Sequence, residues 1–95
     1  MRTILIAGNW KMNGSRASIK ALLDGLKAGI GNVSNAKMAV CAPSIYIADV
    51  AQQLAGTDIT WGAQDVSTEA SGAYTGEIAA SMIKDFDCSY VIVGH

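Results

Sequence analysis

Residues 3–42, TILIAGNWKMNGSRASIKALLDGLKAGIGNVSNAKMAVCA, carry the pattern that decides the fold. The stretch begins with a short apolar segment, residues 3–7, and ends with a second one, residues 37–42. Between them, apolar side chains recur at intervals of three and four residues, which is the period of an α-helix with one buried face. These side chains are Ile19, Leu22, Leu23, Leu26 and Ile30. A strand, a helix and a strand in this order predict two parallel strands joined by a crossover helix.

Serine and glycine residues bound this first helix. Ser15 or Ser18 is available as its N-cap, because a serine hydroxyl can accept a hydrogen bond from a free amide of the first turn. Gly29 or Gly31 is available at the other end, where helices often finish in a left-handed conformation. The sequence therefore predicts a helix that begins after the glycine-bounded stretch 8–14.

The same pattern repeats downstream. A second helix is expected after an N-cap at Ser44 and should end near Gly56, and a third is expected from about Glu77. Their apolar positions are Ile47, Val50, Ala51 and Leu54 in the second, and Ile78, Met82 and Phe86 in the third. Two further apolar segments, residues 58–62 and 89–94, complete the order β-α-β-α-β-α-β.

The four apolar segments are short, rich in Ile and Val, and show little alternation. Strands buried on both faces of a parallel sheet have this composition, so the fold class is α/β. No linker or low-complexity tract interrupts residues 1–95, which predicts a single domain without an internal boundary. The pattern alone leaves open whether the sheet is an open doubly wound sheet or a barrel. In both folds the chemistry lies at the carboxyl ends of the strands.

Composition excludes several classes of protein. Seven basic and eight acidic residues give a formal charge of −1, which provides no electrostatic footprint for nucleic acid or an anionic membrane. Hydrophobic residues make up 51% of the chain, which argues against disorder. The longest apolar runs have four or five residues, far from the roughly twenty of a membrane helix, and no signal peptide is recognisable. Two cysteines cannot form a disulfide framework, and a cytoplasmic location is expected.

The loop after the first strand, residues 8–14 (GNWKMNG), has an unusual composition. It places one cation, Lys11, beside an amide, Asn9, at the carboxyl end of a strand. A fixed positive charge at that position suits an anionic substrate or a developing oxyanion. The alternative interpretation is a surface lysine between ordinary turn residues, and a motif this short does not decide between them.

The loop after the third strand, residues 64–77, is far longer than a usual connection between a strand and a helix. It contains the stretch Ser71-Gly72-Ala73-Tyr74-Thr75-Gly76-Glu77. A long loop with an aromatic residue and glycines is often a lid or an interaction arm, and its plainer interpretation is an insertion without a role. Its glycine spacing is not that of a phosphate-binding loop.

The chain's single histidine, His95, follows the fourth apolar segment directly, where an imidazole could take part in catalysis. One histidine and two separated cysteines do not have the spacing of a metal site. Cys41 and Cys88 lie in or beside apolar segments and are interpreted as packed thiols rather than nucleophiles.

Four stretches, in this order along the chain, together resemble the triosephosphate isomerase family. They are GNWKMNG at residues 8–14, GAQD at 62–65, GAYTGE at 72–77 and YVIVGH at 90–95. The resemblance covers residues 1–95 and implies a (β/α)₈ barrel, of which this chain supplies strands 1–4 and helices 1–3. It further implies an enzyme that interconverts dihydroxyacetone phosphate and glyceraldehyde 3-phosphate in glycolysis and gluconeogenesis, without a cofactor or a metal.

The resemblance also assigns roles to individual residues. Lys11 matches the lysine that faces the negative charge of the substrate, and Asn9 matches the asparagine that lines the same pocket. His95 matches the catalytic electrophile. The resemblance further implies that this histidine is kept neutral by a helix N-terminus, as is known for the family.

For the long loop, the resemblance implies an arm that inserts into the partner of a homodimer. The matching interface residues are Met12, Tyr74, Thr75, Gly76 and Glu77. The expected partners are therefore a small triose phosphate substrate and a second copy of the chain, with no nucleic acid and no membrane.

A barrel of this kind needs about 250 residues, and the resemblance implies that its glutamate base and phosphate loops lie beyond residue 95. The 95-residue piece alone is therefore expected to be inactive, because the substrate's C–H proton has no base to accept it. Two other readings stay open at this point. One is a half-barrel fragment that acts by assembly, and the other is a flavodoxin-like protein that binds a phosphate ligand at a switch point.

Overall fold

A computed structural model of the chain describes residues 4–29 and 36–93. Strands and helices alternate as the sequence predicts, with a 3-10 turn, Ser44–Tyr46, directly before the second helix. The elements are β1 Ile4–Asn9, α1 Arg16–Gly29, β2 Ala36–Ala42, α2 Ile47–Leu54, β3 Ile59–Ala63, α3 Ala80–Lys84 and β4 Tyr90–Val91. None of the helices in these described ranges is long and apolar enough to cross a membrane.

The strands form one parallel sheet in the order β1-β2-β3-β4, so each strand pairs with its neighbour in sequence. Each new strand is added at the same edge of the sheet, and each connection between strands is expected to be a right-handed crossover. The helices in these crossovers therefore lie on one side of the sheet. Accordingly, α1 and α2 contact each other and contribute to one core. An open doubly wound sheet reverses its strand order at a switch point, and the described strands contain no such reversal. The α/β prediction is confirmed, and the sheet has the arrangement of part of a (β/α)₈ barrel wall.

The main core lies between this sheet and the first two helices. Its buried members are Ile19 and Leu23 of α1, Val40 and Ala42 of β2, Val50 and Leu54 of α2, and Ile59 of β3. The helical periodicity is thus confirmed for α1 and α2. Leu22 lies at the margin of the apolar face with 46% of its surface exposed, and Ile30 lies outside the described residues.

The cap predictions differ in outcome. Ser15 caps α1: the Ser18 amide donates to Ser15 Oγ at 3.1 Å, and the Ser15 amide donates to Ser18 Oγ at 2.9 Å. This reciprocal pair has the geometry of a capping box. The prediction that Ser44 caps the second helix is wrong, because Ser44 begins the 3-10 turn and α2 starts at Ile47 without a side-chain cap.

The third helix is shorter than predicted and presents a different face. It does not begin at Glu77. The Ser67 amide donates to the carbonyl of Ile78 at 2.8 Å, and this bond joins the two ends of the long loop just before the helix. The helix spans five residues, and its buried side chain is Ile83 rather than Met82. Met82 and Phe86, at the surface, remain 50% and 46% exposed.

Burial on both faces holds for the two central strands and fails for the two outer ones. Leu5 and Ile6 of β1 are 46% and 50% exposed, and Tyr90 and Val91 of β4 are 37% and 38% exposed. In the described part of the chain, each outer strand pairs along one edge. The last strand is also shorter than predicted, and Gly94 lies outside the described residues.

Candidate active site

The carboxyl ends of the first three strands meet at one edge of the sheet. Asn9, the last residue of β1, is in register with Cys41 of β2, and Cys41 is in register with Gly62 of β3. Val40 and Ala42 of β2 face the helices, so Cys41 between them faces the other side of the sheet. Residues in register on parallel strands share a face, and Asn9 therefore lies on that side as well. The loops that follow these strands therefore begin next to one another.

Lys11 has a left-handed backbone conformation, with φ of +54°, which is uncommon for a residue other than glycine. Hydrogen bonds hold its backbone on both sides. Its amide donates to Asn9 Oδ1 at 2.9 Å, and its carbonyl accepts from Gln64 Nε2 at 2.8 Å. The side chain is exposed, and within residues 4–29 and 36–93 it forms no ion pair. The ammonium group is thus carried on a fixed backbone and is available to an anion.

Gln64, the first residue after β3, completes this arrangement. Besides the Lys11 carbonyl, its Nε2 atom lies 3.1 Å from the carbonyl oxygen of Cys41 and 3.4 Å from Asn9 Oδ1. One amide group therefore joins the ends of three strands. Sequence reasoning did not assign Gln64 a role, although a polar residue directly after a buried strand at the carboxyl edge was a usable signal.

The rest of the loop at residues 8–14 is held in a similar way. The Trp10 amide donates to the Cys41 carbonyl at 3.1 Å, and Asn13 Nδ2 donates to the Trp10 carbonyl at 3.0 Å. Met12 points away from these contacts and is 95% exposed. The loop is thus fixed to β2 and β3 while it leaves Lys11 and Met12 open to solvent.

The long loop, residues 64–77, is ordered by local hydrogen bonds. The Glu77 amide donates to the Tyr74 carbonyl at 2.9 Å, and Gly76 inside this turn has φ of +89°. Tyr74 is 51% exposed, and Thr75 between these residues is exposed as well. Among the described residues, no hydrogen bond joins residues 74–77 to Lys11.

A cavity of about 270 Å³ lies between the start of the 3-10 turn and the two ends of the long loop. Pro43, Gln64 and Glu77 are among its lining residues, whereas Lys11 is not. Lys11 lies outside this cavity, and its side chain is exposed beyond the end of β1. His95, the other predicted catalytic residue, lies outside the described residues.

The two cysteines have the character of packed thiols, as predicted. Cys41 is 2% exposed, and burial raises the pKa of its thiol. Burial also raises the pKa of the Cys88 thiol, with smaller contributions from Cys41 and Asp87. Thiols with raised pKa values are poor nucleophiles at neutral pH. In the ranges that the structure describes, no three potential metal-ligating side chains lie together.

Comparisons with known proteins identify the relatives of this chain. A family model described as triosephosphate isomerase matches residues 4–95. Curated relatives named triosephosphate isomerase include those of Cupriavidus taiwanensis, 57% identical, Cupriavidus necator, 55% identical, and Nitrosococcus oceani, 53% identical. Each match covers 100% of this chain and 38% of the relative, so the chain spans well under half the length of these proteins.

Proposed function

Because this chain belongs to the triosephosphate isomerase family, we propose that the protein containing it interconverts dihydroxyacetone phosphate and D-glyceraldehyde 3-phosphate. The reaction is a proton transfer through an enediolate, and its place is glycolysis and gluconeogenesis in the cytoplasm. Since the chain spans 38% of these relatives, the activity is that of a protein completed to their length. The observation that carries the proposal beyond the family match is the fixed backbone of Lys11, with hydrogen bonds on both sides.

Lys11 has the role of an electrostatic catalyst in this proposal. Both the phosphate of the substrate and the enediolate that forms during the reaction are anionic, and a cation fixed beside them stabilises negative charge without reorganisation. The Lys11 side chain is exposed at the carboxyl edge of the sheet, where such a substrate would bind. Its anchored backbone limits where the ammonium group can go, which favours catalysis over simple attraction.

Asn9 is proposed to bind the substrate beside Lys11. Its Oδ1 atom accepts hydrogen bonds from the Lys11 amide at 2.9 Å and from Gln64 Nε2 at 3.4 Å, so its Nδ2 group remains as a donor to substrate oxygen. His95 is proposed as the electrophile that polarises the carbonyl, on the strength of the family motif that ends at this residue. The general base belongs to a later part of the family's chain.

The long loop is proposed to dock on a second copy of the chain. Met12 and Tyr74 are large apolar side chains that remain 95% and 51% exposed. Exposed aromatic and methionine side chains are typical of the centres of protein interfaces. Thr75, Gly76 and Glu77 belong to the same exposed turn and are proposed to complete this interface.

A hybrid protein tests the proposed activity. In this hybrid, the present chain replaces the segment that it matches in the Cupriavidus taiwanensis relative, and the host strain lacks an isomerase of its own. Turnover of glyceraldehyde 3-phosphate by the hybrid is the expected result. Residues 1–95 produced alone are the control and should show no turnover, since the base is absent. A folded but inactive hybrid, beside an active relative, would contradict the proposal.

A further inference from the structure

The side chain of Gln64 forms polar contacts with the ends of two other strands and with the loop at residues 8–14. Gln64 stands at the end of β3, and its side chain reaches past β2 to the loop at residues 8–14. The half-buried side chain directs one Nε2 atom toward three oxygens, at 2.8 Å for Lys11, 3.1 Å for Cys41 and 3.4 Å for Asn9. All three are acceptors, so the position requires a donor.

The shortest of these contacts is made to a residue with an unfavourable backbone conformation. Lys11 has φ of +54°, a region that a side chain with a Cβ atom rarely adopts, and such conformations persist only where the surroundings enforce them. Asn9 Oδ1 holds the amide of Lys11, and Gln64 holds its carbonyl. Gln64 also contacts Asn9 Oδ1 itself, so it fixes both partners of this arrangement.

We infer that Gln64 is a positioning residue, which holds Lys11 and Asn9 in the geometry that receives the anionic substrate. The inference rests on the function proposed above. The Nε2 group of Gln64 is committed to protein oxygens, so the role inferred for it acts through Lys11 and Asn9. Without its donor, the Lys11 carbonyl loses its partner, and the loop can relax toward an ordinary backbone conformation that moves the ammonium group.

Three variants of the hybrid separate this role from general stability. Gln64→Leu removes both donated hydrogens, and Gln64→Glu keeps the length of the side chain but offers one hydrogen at most. Gln52→Leu is the matched control, since Gln52 is exposed on α2 and away from the site. We expect kcat/KM to fall about 10- to 100-fold in Gln64→Leu, with a rise in KM, and less in Gln64→Glu, because small misplacements of a catalytic group have effects of this size. The control should match the unsubstituted hybrid.

Protein concentration provides the decisive readout, because Gln64 also begins the loop that is proposed to bind the partner. A positioning role requires that the loss of kcat/KM is the same at low and high protein concentration, well below the unfolding temperature. A deficit that disappears at high concentration would assign Gln64 to the dimer interface, and unchanged kinetics with a lower unfolding temperature would assign it to folding. Either result overturns the inference while the proposed function stands, whereas an inactive unsubstituted hybrid would overturn both.

Discussion

The two loops for which we propose functions are ordered in opposite ways. The loop at residues 8–14 is fixed to the sheet by hydrogen bonds from Trp10 to β2 and from Gln64 to Lys11. In the long loop, residues 64–77, the hydrogen bond from Ser67 to Ile78 joins the two ends. Beyond it, the loop is ordered by hydrogen bonds between its own residues, such as that from Glu77 to Tyr74. The first loop is therefore held by contacts with the rest of the chain, whereas the second presents exposed side chains to solvent. A charge that acts on a substrate gains from the first arrangement, and an arm that docks gains from the second.

The largest effect is expected at Lys11 in the first loop. Lys11→Met in the hybrid should lower kcat/KM by about 10²- to 10³-fold, because it removes the charge that we propose stabilises the transition state. Folding should be unaffected, since the side chain is exposed. Steady-state kinetics and circular dichroism measure the two effects. Lys20→Met is the matched control, because Lys20 is 68% exposed and forms a surface ion pair of little energetic weight. Equal losses in both variants would contradict the role of Lys11.

The second prediction concerns the long loop. Tyr74→Ala should raise the dissociation constant of the dimer about 30-fold, as the loss of an aromatic residue at the centre of an interface costs about 2 kcal/mol. Because Tyr74 is 51% exposed within the chain, the secondary structure should not change. Sedimentation equilibrium of the hybrid and the variant measures the difference. A dissociation constant that stays the same would show that the exposed turn does not carry the dimer.

Sequence reasoning succeeded where a local pattern determines the structure. The spacing of Ile19 and Leu23 defined the buried face of α1, and the choice of Ser15 or Ser18 as N-cap placed its start within one turn, because both features depend on neighbours within one or two turns. It failed at the third helix, where the bond from Ser67 to Ile78 fixes the chain and delays the helix. No periodicity could reveal this bond, since it joins residues on opposite sides of a loop.

The candidate site was likewise predicted where it depends on a local motif and missed where it depends on strand pairing. The motif around Lys11 identified the cation, but the partner that holds it, Gln64, lies 53 positions away and comes near only through the pairing of β1, β2 and β3. The exposure of β1 and β4 was missed for a related reason. Their composition is that of central strands, whereas their position in the described sheet is at its margins.

A smaller effect is expected at the base of the first loop. Ser15→Ala removes the oxygen that accepts the Ser18 amide at 3.1 Å, and loss of such an N-cap lowers the free energy of unfolding by about 1 kcal/mol. Ser71→Ala is the control from the long loop, where Ser71 is exposed and lies outside any helix. Urea denaturation of the two variants of the hybrid tests the contrast. A loss at Ser71 equal to that at Ser15 would show that both loops are equally integrated into the fold.

The smallest effect lies beneath the first loop, at Cys41. Its carbonyl accepts from Trp10 and Gln64, and burial raises the pKa of its thiol. The native state therefore retains the thiol proton at pH values where the unfolded chain, with a thiol pKa of about 8.5, releases it. The buried, protonated thiol makes its full contribution to the free energy of unfolding below the unfolded-state pKa. This contribution is lost as the pH rises from the unfolded-state pKa toward the higher native pKa. The stability deficit of Cys41→Ala should accordingly shrink between about pH 7 and about pH 10, as measured by urea denaturation at each pH. A deficit that stays constant over this range would mean that water reaches the thiol in the native state, and that the first loop is less closely fixed to the sheet than its hydrogen bonds indicate.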